Sequence, residues 1–569
     1  MLSYASSIGC TRNVTTNAKM KHTILLFLSI LICFKTAHAH NSLSETEKLA
    51  ATAKIWDFLK YYHPHVASGK FKWDDELFKV LPKVKAASTK EELSQVYIAW
   101  LDNLGRVKAC KNCKQESSLE YFDRNFDLSW IKENQVFTAE LTERLKHVEQ
   151  NRHQGKKYYV SAGKKIGNIE VTNEINYKGF SWNDENLRLL TLFRYWNIVE
   201  YFFPYKYQMD TNWDEVLSNM IPKFLHPKTE LEYQLAILEL VVSIDDSHAG
   251  YYNDTIAAYF GHYWMPAHFK LIDKRAIITG FYNDFLARVD DIRIGDIITR
   301  VDGQEVEGIF SQKEKYISGS NISRKKLNAF HSIFNGSSDS VQIEFIRNNQ
   351  TATKTIKRYL LDELNPKAKE AEKFKILKGN IGYVDMGRLE LKDVEGIMEA
   401  LKGTKAIIFD IRNHPKGTFR SVANYISSKR NDFYKVIYPD LGYPGKFIWR
   451  NGDQIGQSGD LKYKGKVVLL VNERAQSHAE FTIMGLQTGD NVTTIGSQTS
   501  GADGNVSVFE LVGGHKTAIT GIGIFYPDNT ETQRKGVKID IEVKPTVQGI
   551  IEGKDEVLEK AIEFVNTNT

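Results

Sequence analysis

An apolar run followed directly by a helical pattern constrains this chain more than any other feature. Val467–Val471 is uniformly apolar, which predicts a strand buried on both faces. From Phe481 apolar residues return at helical spacing, so Ser477 lies where the strand gives way to a helix. The unpaired N–H groups at a helix start can stabilise a developing oxyanion, which suits a nucleophile. The alternative is that Ser477 only caps the helix.

Strands and helices alternate around this run. Asn380–Met386 and Lys405–Asp410 read as strands, and Asp393–Leu401 between them reads as a helix. This alternation predicts an α/β core with partly parallel strands. The second strand leads into a loop rich in Pro and Gly, in which Gly417 allows the backbone to approach a ligand closely. The alternative is an ordinary turn between a strand and a helix.

The first half of the chain contains a repeat of helical, aromatic-rich sequence. Residues 54–64 match residues 194–204 at an offset of 140 positions, and Trp73-Asp74 matches Trp213-Asp214 at the same offset. The aromatic residues recur at helical spacing, which favours packing between helices. We therefore predict a duplicated helical unit.

The two copies differ at one place that matters for chemistry. The second copy continues into Ser247-His248, whereas the matching positions of the first copy are Val107 and Lys108. Packing of the shared helices does not require this pair. A histidine after a helix is usually structural, but the difference between the copies favours a chemical role for His248.

Composition and charge exclude several classes of protein. The chain has 569 residues, 42% of them hydrophobic and 25% charged, which is typical of a globular protein of several domains. The net charge of +5 is small and no block of basic residues occurs, so we predict no nucleic-acid partner. Metal-ligand spacings and glycine-rich phosphate loops are missing from the sequence, which therefore predicts neither a metal nor a cofactor.

The N-terminus has the pattern of an export signal. Met20-Lys-His precedes the apolar run Ile24–Phe34, and Ala37-His-Ala39 follows as a small-x-small cleavage pattern. We predict a signal peptide from about Met20 to Ala39 and a secreted or periplasmic protein without stable membrane insertion. In an oxidising compartment Cys110 and Cys113 are expected to form a short-loop disulfide, with a redox-active pair as the alternative.

Residues 265–360 have the pattern of a separate unit of short strands. Gly295-Asp296 precedes a strand, and Asp302-Gly303 closes a hairpin. This stretch resembles a PDZ domain, a fold that binds extended peptides along a sheet edge. The carboxylate-binding loop of PDZ domains is not obvious here, but edge pairing alone would recruit an unfolded chain.

Three motifs behind this unit resemble those of the C-terminal processing (tail-specific) peptidase family. They are Arg-Asn-x-Pro-x-Gly at Arg412–Gly417, Asn-Glu-x-x-x-Ser-x-x-Glu at Asn472–Glu480 and Gly-x-x-Thr-x-Gly at Gly496–Gly501. The resemblance covers roughly residues 190–545 and implies a ClpP/crotonase-like α/β fold. It places the catalytic serine at Ser477 and the oxyanion hole at the backbone N–H groups of His478 and Gly417.

One departure separates this chain from the Ser–Lys members of the family. Ala502-Asp503-Gly504 follows the last motif, where those members have a lysine. The order of motifs is instead similar to the branch of the tricorn core protease, which has a Ser-His pair ahead of the PDZ domain. That resemblance implies His248 as the general base, Ser247 as a residue that orients the site, and Glu531 as the carboxylate partner. The ring of His478 is the local rival for the role of base.

These observations give one prediction of function and one alternative. We predict an exported serine peptidase that cleaves unfolded protein tails or oligopeptides; the alternative is a catalytically silent protein that binds peptides or apolar ligands. The predicted units are a leader (1–39), a first helical copy with a small β segment (40–180), a second copy with Ser-His (181–262), a PDZ-like domain (263–362) and an α/β peptidase core (370–569).

Overall fold

The structure is a computed structural model that describes residues 42–111, 113, 119–163, 167–364, 371–460 and 462–567. The predicted signal peptide lies outside these residues. Within them, no helix combines the length and the apolar character that crossing a membrane requires.

Helices dominate residues 42–262. They are α1 (Glu45–Tyr62), α2 (Pro64–Ala67), α3 (Trp73–Ala86), α4 (Lys90–Asn103), α5 (Ala139–Gln150), α6 (Glu185–Phe202), α7 (Trp213–Leu225), α8 (Glu230–Val242) and α9 (Asp254–Phe260). Short strands lie between them, namely β1 (Tyr121–Phe122), β2 (Val160–Ala162) and β3 (Ile169–Val171). Cys110 and Cys113 form a disulfide after α4, which confirms that prediction.

The two helical copies make the same internal contacts. The indole N–H of Trp56 donates to the carbonyl of Trp73, and Trp73 returns the bond, both at 3.1 Å. Trp196 and Trp213 repeat this reciprocal pair at 3.0 and 3.1 Å. The rings in each pair are nearly parallel. Each copy thus contains a buried pair of tryptophans that satisfy each other's indole N–H groups, which explains why they recur at the same offset.

Matching residues of the two copies also meet each other. Lys54 pairs with Asp214 at 2.6 Å, and Arg194, which occupies the matching position to Lys54, pairs with Asp74. Tyr61 packs against its counterpart Tyr201 with ring centroids 5.3 Å apart. Such reciprocal contacts are those of a pseudo-two-fold packing of α1 and α3 against α6 and α7.

One buried acid lies among these contacts and allows a stability prediction. Asp57 adjoins Asn197, its counterpart in the second copy, and within the described ranges neither carboxylate oxygen of Asp57 accepts a hydrogen bond of ordinary geometry. Burial raises the pKa of Asp57 well above its usual value, although Lys60 opposes this shift. Folding therefore takes up a proton, and the free energy of unfolding falls as pH rises from the unfolded-state pKa toward the folded-state pKa.

We expect Asp57→Asn to raise the free energy of unfolding at pH 8 by about 1–2 kcal/mol and to leave it nearly unchanged at pH 4. Urea unfolding at the two pH values measures the difference. The matched variant Asn197→Asp adds a second buried acid and is expected to lower stability at pH 8. A gain at pH 4 as large as that at pH 8 would contradict the assigned proton uptake.

Residues 263–364 form a β unit with flanking helices. Its strands are β4 (Tyr263–Trp264), β5 (Ala267–Ile272), β6 (Arg275–Phe281), β7 (Ile297–Val301), β8 (Gln304–Glu305), β9 (Ser340–Arg347), β10 (Gln350–Lys357) and β11 (Tyr359–Leu360). Its helices are α10 (Asp284–Val289), α11 (Val306–Lys313), α12 (Ile322–Asn328), α13 (Phe330–Phe334) and α14 (Leu361–Leu364). The main sheet has the order β10-β9-β7-β6-β5, and β4 pairs with β11 where the chain enters and leaves the unit.

The C-terminal part is a mixed α/β core, as the sequence predicts. Its strands are β12 (Phe374–Leu377), β13 (Ile381–Asp385), β14 (Ala406–Asp410), β15 (Asn431–Asp432), β16 (Lys435–Pro439), β17 (Phe447–Asn451), β18 (Gln454–Ile455), β19 (Lys466–Val471), β20 (Val492–Gly496), β21 (Val506–Glu510), β22 (Lys516–Thr520), β23 (Gly523–Phe525) and β24 (Ile541–Glu542). Its helices are α15 (Val394–Ala400), α16 (Phe419–Ile426), α17 (His478–Leu486), α18 (Val547–Ile551) and α19 (Glu556–Asn566).

Two sheets position the site. The order β12-β13-β14-β19-β20-β24 is parallel from β13 onward, so β14 and β19 end at the same edge. Their apolar residues are buried on both faces, as the continuous apolar runs predict. A second sheet, β1-β17-β16-β23, joins the helical half to the core. One hydrophobic cluster accordingly extends from the helices to Phe525, which holds the two halves together.

Candidate active site

Ser477 lies on a strained turn between β19 and α17. Its backbone has φ 55° and ψ −119°, a conformation that side chains with a Cβ rarely adopt. The Ser477 N–H donates to the carbonyl of Ala502 at 2.9 Å, which helps to hold the turn. Strain of this kind is concentrated at functional residues, because the surrounding structure must hold it in place. The strain therefore favours a functional role for Ser477 over that of an ordinary helix cap.

Glu480 holds the loop that faces this turn. Its buried carboxylate accepts hydrogen bonds from the Thr499 hydroxyl at 2.5 Å and from the N–H groups of Gly501 and Ala502 at 2.7 and 3.0 Å. Burial raises the pKa of Glu480, and these donors oppose that rise. Ser-x-x-Glu and Gly-x-x-Thr-x-Gly thus form one unit, a role for Glu480 that sequence reasoning missed.

The loop after β14 supplies the second wall of the site. Arg412 donates to Asp410 at 2.6 Å and to Asp555 at 2.7 Å, which anchors the start of the loop. Gly417 has φ 74°, a left-handed conformation that favours glycine. The N–H groups of Gly417 and His478 donate no hydrogen bond within the described part of the chain. Both remain available to a developing oxyanion.

The turn that carries Ser247 and His248 docks onto the Ser477 turn. Gln476 donates from its side-chain amide to the carbonyl of Ser247 at 3.4 Å. The Ser247 hydroxyl lies 3.0 Å from the Ser320 hydroxyl and 3.4 Å from the carbonyl of Ser500. The structure therefore brings these two distant segments together, and Ser247 also contacts Ser320 of the β unit and Ser500 of the loop that Glu480 holds.

The imidazole of His248 is held by a hydroxyl and a carboxylate. His248 Nδ1 lies 2.8 Å from the Thr520 hydroxyl, and that hydroxyl lies 3.0 Å from a carboxylate oxygen of Asp246. Asp246 also accepts the Thr520 N–H at 2.7 Å and the His248 N–H at 3.1 Å. His248 Nε2 is buried and has no hydrogen-bond partner among the described residues, including the Ser477 hydroxyl.

Burial keeps both histidines of the site neutral. It lowers the pKa of His248, an effect that Asp246 opposes and the nearby Arg324 reinforces. Burial also lowers the pKa of His478, with a further contribution from His414. A neutral imidazole has a free lone pair on one nitrogen, so it can accept a proton at neutral pH.

The remaining predicted site residues lie in different surroundings. Glu531 contacts Tyr207 at 3.1 Å, Arg124 at 3.1 Å and Lys535 at 2.8 Å, and it makes no hydrogen bond or ion pair with His248. The carboxylate beside the imidazole is Asp246 instead. The ring of His478 packs between His414 and Phe419, each with a centroid separation of 5.8 Å.

Sequence reasoning overlooked Asp246 and Thr520 for different reasons. Asp246 precedes His248 by two residues, so the local sequence contained a signal for it. Thr520 is 272 positions from His248, and nothing in its neighbourhood marks it. Within the described ranges, no group of three or more His, Cys, Asp or Glu side chains is placed so that it could hold a metal ion.

The loop after β14, residues 411–418, is called the oxyanion loop because it carries Gly417. A cavity of about 560 Å³ opens beside it. Asn413 and His414 line one side of it, and Ala267–Phe269 of β5 contribute to another. Since β5 ends the strand order of its sheet, the cavity is lined by a sheet edge and by the loop after β14.

Comparisons with known proteins agree with this architecture. The model of peptidase family S41 matches residues 380–543. A probable CtpA-like serine protease of Staphylococcus haemolyticus (strain JCSC1435) is 25% identical over 287 residues, which cover 49% of this chain and 52% of that protein. This chain thus aligns with about half the length of that curated relative.

Two solved structures show the fold. Mature CPAF complexed with lactacystin has a TM-score of 0.52 at 14% identity, covering 67% of this chain and 98% of that one. Mature CPAF alone has a TM-score of 0.52 at 13% identity, covering 68% of this chain and 98% of that one. The match over residues 380–543 shows that the α/β core of this chain is similar to peptidase family S41, in agreement with its strand-to-helix serine turn.

Proposed function

We propose that this protein is a serine peptidase that cleaves unfolded polypeptide tails or oligopeptides through an acyl-enzyme at Ser477. The observation that carries the proposal is the docking of the Ser247–His248 turn against Gln476, the neighbour of Ser477, and against Ser500 in the loop that Glu480 holds. A serine hydroxyl is a weak nucleophile and needs an adjacent base. The similarity to a probable serine protease, which covers 49% of this chain, supports the same class of reaction.

The proposed mechanism uses His248 in two directions. Ser477 Oγ attacks the peptide carbonyl carbon while His248 Nε2 takes the hydroxyl proton. The N–H groups of His478 and Gly417 stabilise the oxyanion. When the tetrahedral intermediate collapses, the imidazolium gives the proton to the leaving amine, and water then hydrolyses the acyl-enzyme by the same steps.

Thr520 would fix the tautomer that this mechanism needs. A hydroxyl donates one hydrogen, and donation to the Asp246 carboxylate leaves the Thr520 oxygen as an acceptor. It then accepts from His248 Nδ1–H, so the lone pair is on Nε2. The Nε2–Ser477 hydrogen bond is not formed in this structure; such contacts often tighten only when substrate binds.

We expect Asp246→Asn to lower kcat by about 10²–10⁴-fold, because the orientation and stabilisation of the imidazolium are lost. Burial lowers the pKa of His248, so the acid limb of kcat/KM for the wild type should lie below pH 6.5. Asp246 raises that pKa, so its replacement should move the limb to still lower pH.

Rates measured from pH 4 to 8 for both proteins test these expectations. Glu531→Gln tests the other candidate carboxylate. This variant should keep the acid limb of the wild-type kcat/KM profile and most of the wild-type kcat. A large loss in Glu531→Gln together with an active Asp246→Asn would assign the carboxylate role to Glu531.

The β unit would recruit the substrate. We propose that an extended peptide pairs with the edge strand β5 and passes through the cavity of about 560 Å³ toward Ser477. Export to the periplasm or the medium is part of the proposal and is supported by the sequence from Met20 to Ala39. Unfolded chains would be the substrates, since edge pairing needs an extended backbone.

A catalytically silent peptide-binding protein is the second candidate. The missing hydrogen bond between His248 Nε2 and the Ser477 hydroxyl favours it. Labelling of Ser477 by a serine-reactive phosphonate, together with hydrolysis of a fluorogenic peptide mixture, decides between the two. A peptidase gives both signals, whereas a silent protein binds the peptides but is neither labelled nor active.

A further inference from the structure

A cavity of about 800 Å³ lies next to the segment that follows His248. Gly250 and the two residues after it form part of its wall, to which α9, α13, the β4–β11 ribbon and residues 316–318 also contribute. Aromatic side chains dominate the lining, and they are Tyr251, Tyr252, Phe260, Trp264, Tyr316 and Phe330.

The polar groups of this cavity are largely used within the protein. Asn328 donates from its amide to the carbonyl of Ser318 at 2.8 Å, and Asn335 donates to the carbonyl of Gly261 at 3.4 Å. His331 packs against Phe260 and lies in the wall, and burial lowers its pKa to about 4. Asp362 and Lys516 are charged members of the lining, but aromatic and aliphatic side chains make up most of it, which suits an apolar ligand.

Large apolar side chains remain exposed on the residues that line this cavity. Tyr252 is 73% exposed, and Leu360 and Leu361 are 43% and 48% exposed. Exposed apolar residues that gather at one concave site indicate a binding surface, whereas isolated ones need no explanation.

This cavity adjoins the one beside the oxyanion loop. Trp264, Asn328, Phe330 and Asn335 line both of them. His414, from the oxyanion loop, lines the smaller cavity. The smaller cavity thus shares walls with the larger one and with the oxyanion loop, which favours the substrate polypeptide as the occupant.

We propose that the larger cavity binds one bulky apolar side chain, aromatic or long aliphatic, of the polypeptide that the active site cleaves. The proposal rests on the peptidase function proposed above and specifies its substrate class. Burial of such a side chain is worth about 1.5–3 kcal/mol, which corresponds to roughly a 10–150-fold gain in affinity.

Binding can be measured without cleavage in the full-length Ser477→Ala protein. The probes are short labelled Gly-Ser peptides that carry a single Phe at different positions. Fluorescence anisotropy compares their affinity with that of the parent peptide, which lacks Phe. We expect at least one Phe position to bind roughly tenfold or more tightly than the parent. Adding Tyr252→Ser or Leu361→Ser should reduce that gain at least about threefold and leave binding of the parent unchanged.

Phe285→Ser is the matched control, because Phe285 is 75% exposed and is not among the residues that line the cavity. It should preserve the gain from Phe. The proposal is overturned if no Phe position improves binding, or if Tyr252→Ser and Phe285→Ser weaken binding equally.

Failure of the two proposals gives different results. A Tyr252-dependent gain from Phe in a protein whose wild type cleaves no peptide would remove the peptidase function and keep the binding site. Cleavage by the wild type without any preference for apolar residues would remove the binding site and keep the peptidase.

Discussion

Ser477→Ala is expected to lower kcat for a cleaved peptide by on the order of 10⁶-fold, because the acyl-enzyme can no longer form. The oxyanion donors stay in place, since alanine keeps the His478 and Gly417 backbone. Peptide binding should therefore persist while turnover stops. Single-turnover hydrolysis and peptide anisotropy on the same preparation measure the two effects separately.

Ser218→Ala is a matched control for this substitution. Ser218 lies on helix α7 and donates to the carbonyl of Asp214, far along the chain from the proposed site. It should retain wild-type turnover and phosphonate labelling. If Ser477→Ala cleaves at the wild-type rate, Ser477 is not the nucleophile and its strained turn has another cause.

The α/β core was predictable because its signals are local. The apolar run at Val467–Val471 occurs as the strand Lys466–Val471, and the alternation of strands and helices before it is also present. A strand buried on both faces has to be apolar throughout, so a short window is enough to identify it. The match of the S41 family model to residues 380–543 supports the family prediction, whereas the choice between the Ser-His and Ser–Lys branches stays a prediction.

The candidate site was predictable only in part, because its halves come from distant segments. Ser477 and Gly417 follow strands of one parallel sheet, whose carboxyl ends must meet at one edge. The contact between Ser247 and Gln476 joins residues 229 positions apart, and no periodicity encodes it. The prediction of Glu531 rested on the order of motifs, which fixes position along the chain but not distance in space.

His248→Ala is expected to lower kcat by on the order of 10⁶-fold, close to the effect of Ser477→Ala, because nucleophile and base act as one unit. The double variant should lose little more than either single variant, since removing one member already abolishes the assisted attack. Added imidazole should restore part of the activity, because the space vacated by the buried ring has its hydroxyl partner at Thr520.

His226→Ala serves as the control, since His226 is exposed at the end of helix α7. His478→Ala distinguishes the rival base, because it removes the ring and keeps the backbone N–H that the oxyanion hole requires. If His478→Ala loses activity as completely as Ser477→Ala while His248→Ala stays active, proton transfer belongs to the ring beside Gly417. The hydroxyl of Thr520 would then position a structural histidine, and Thr520→Val would lower thermal stability without moving the pH profile.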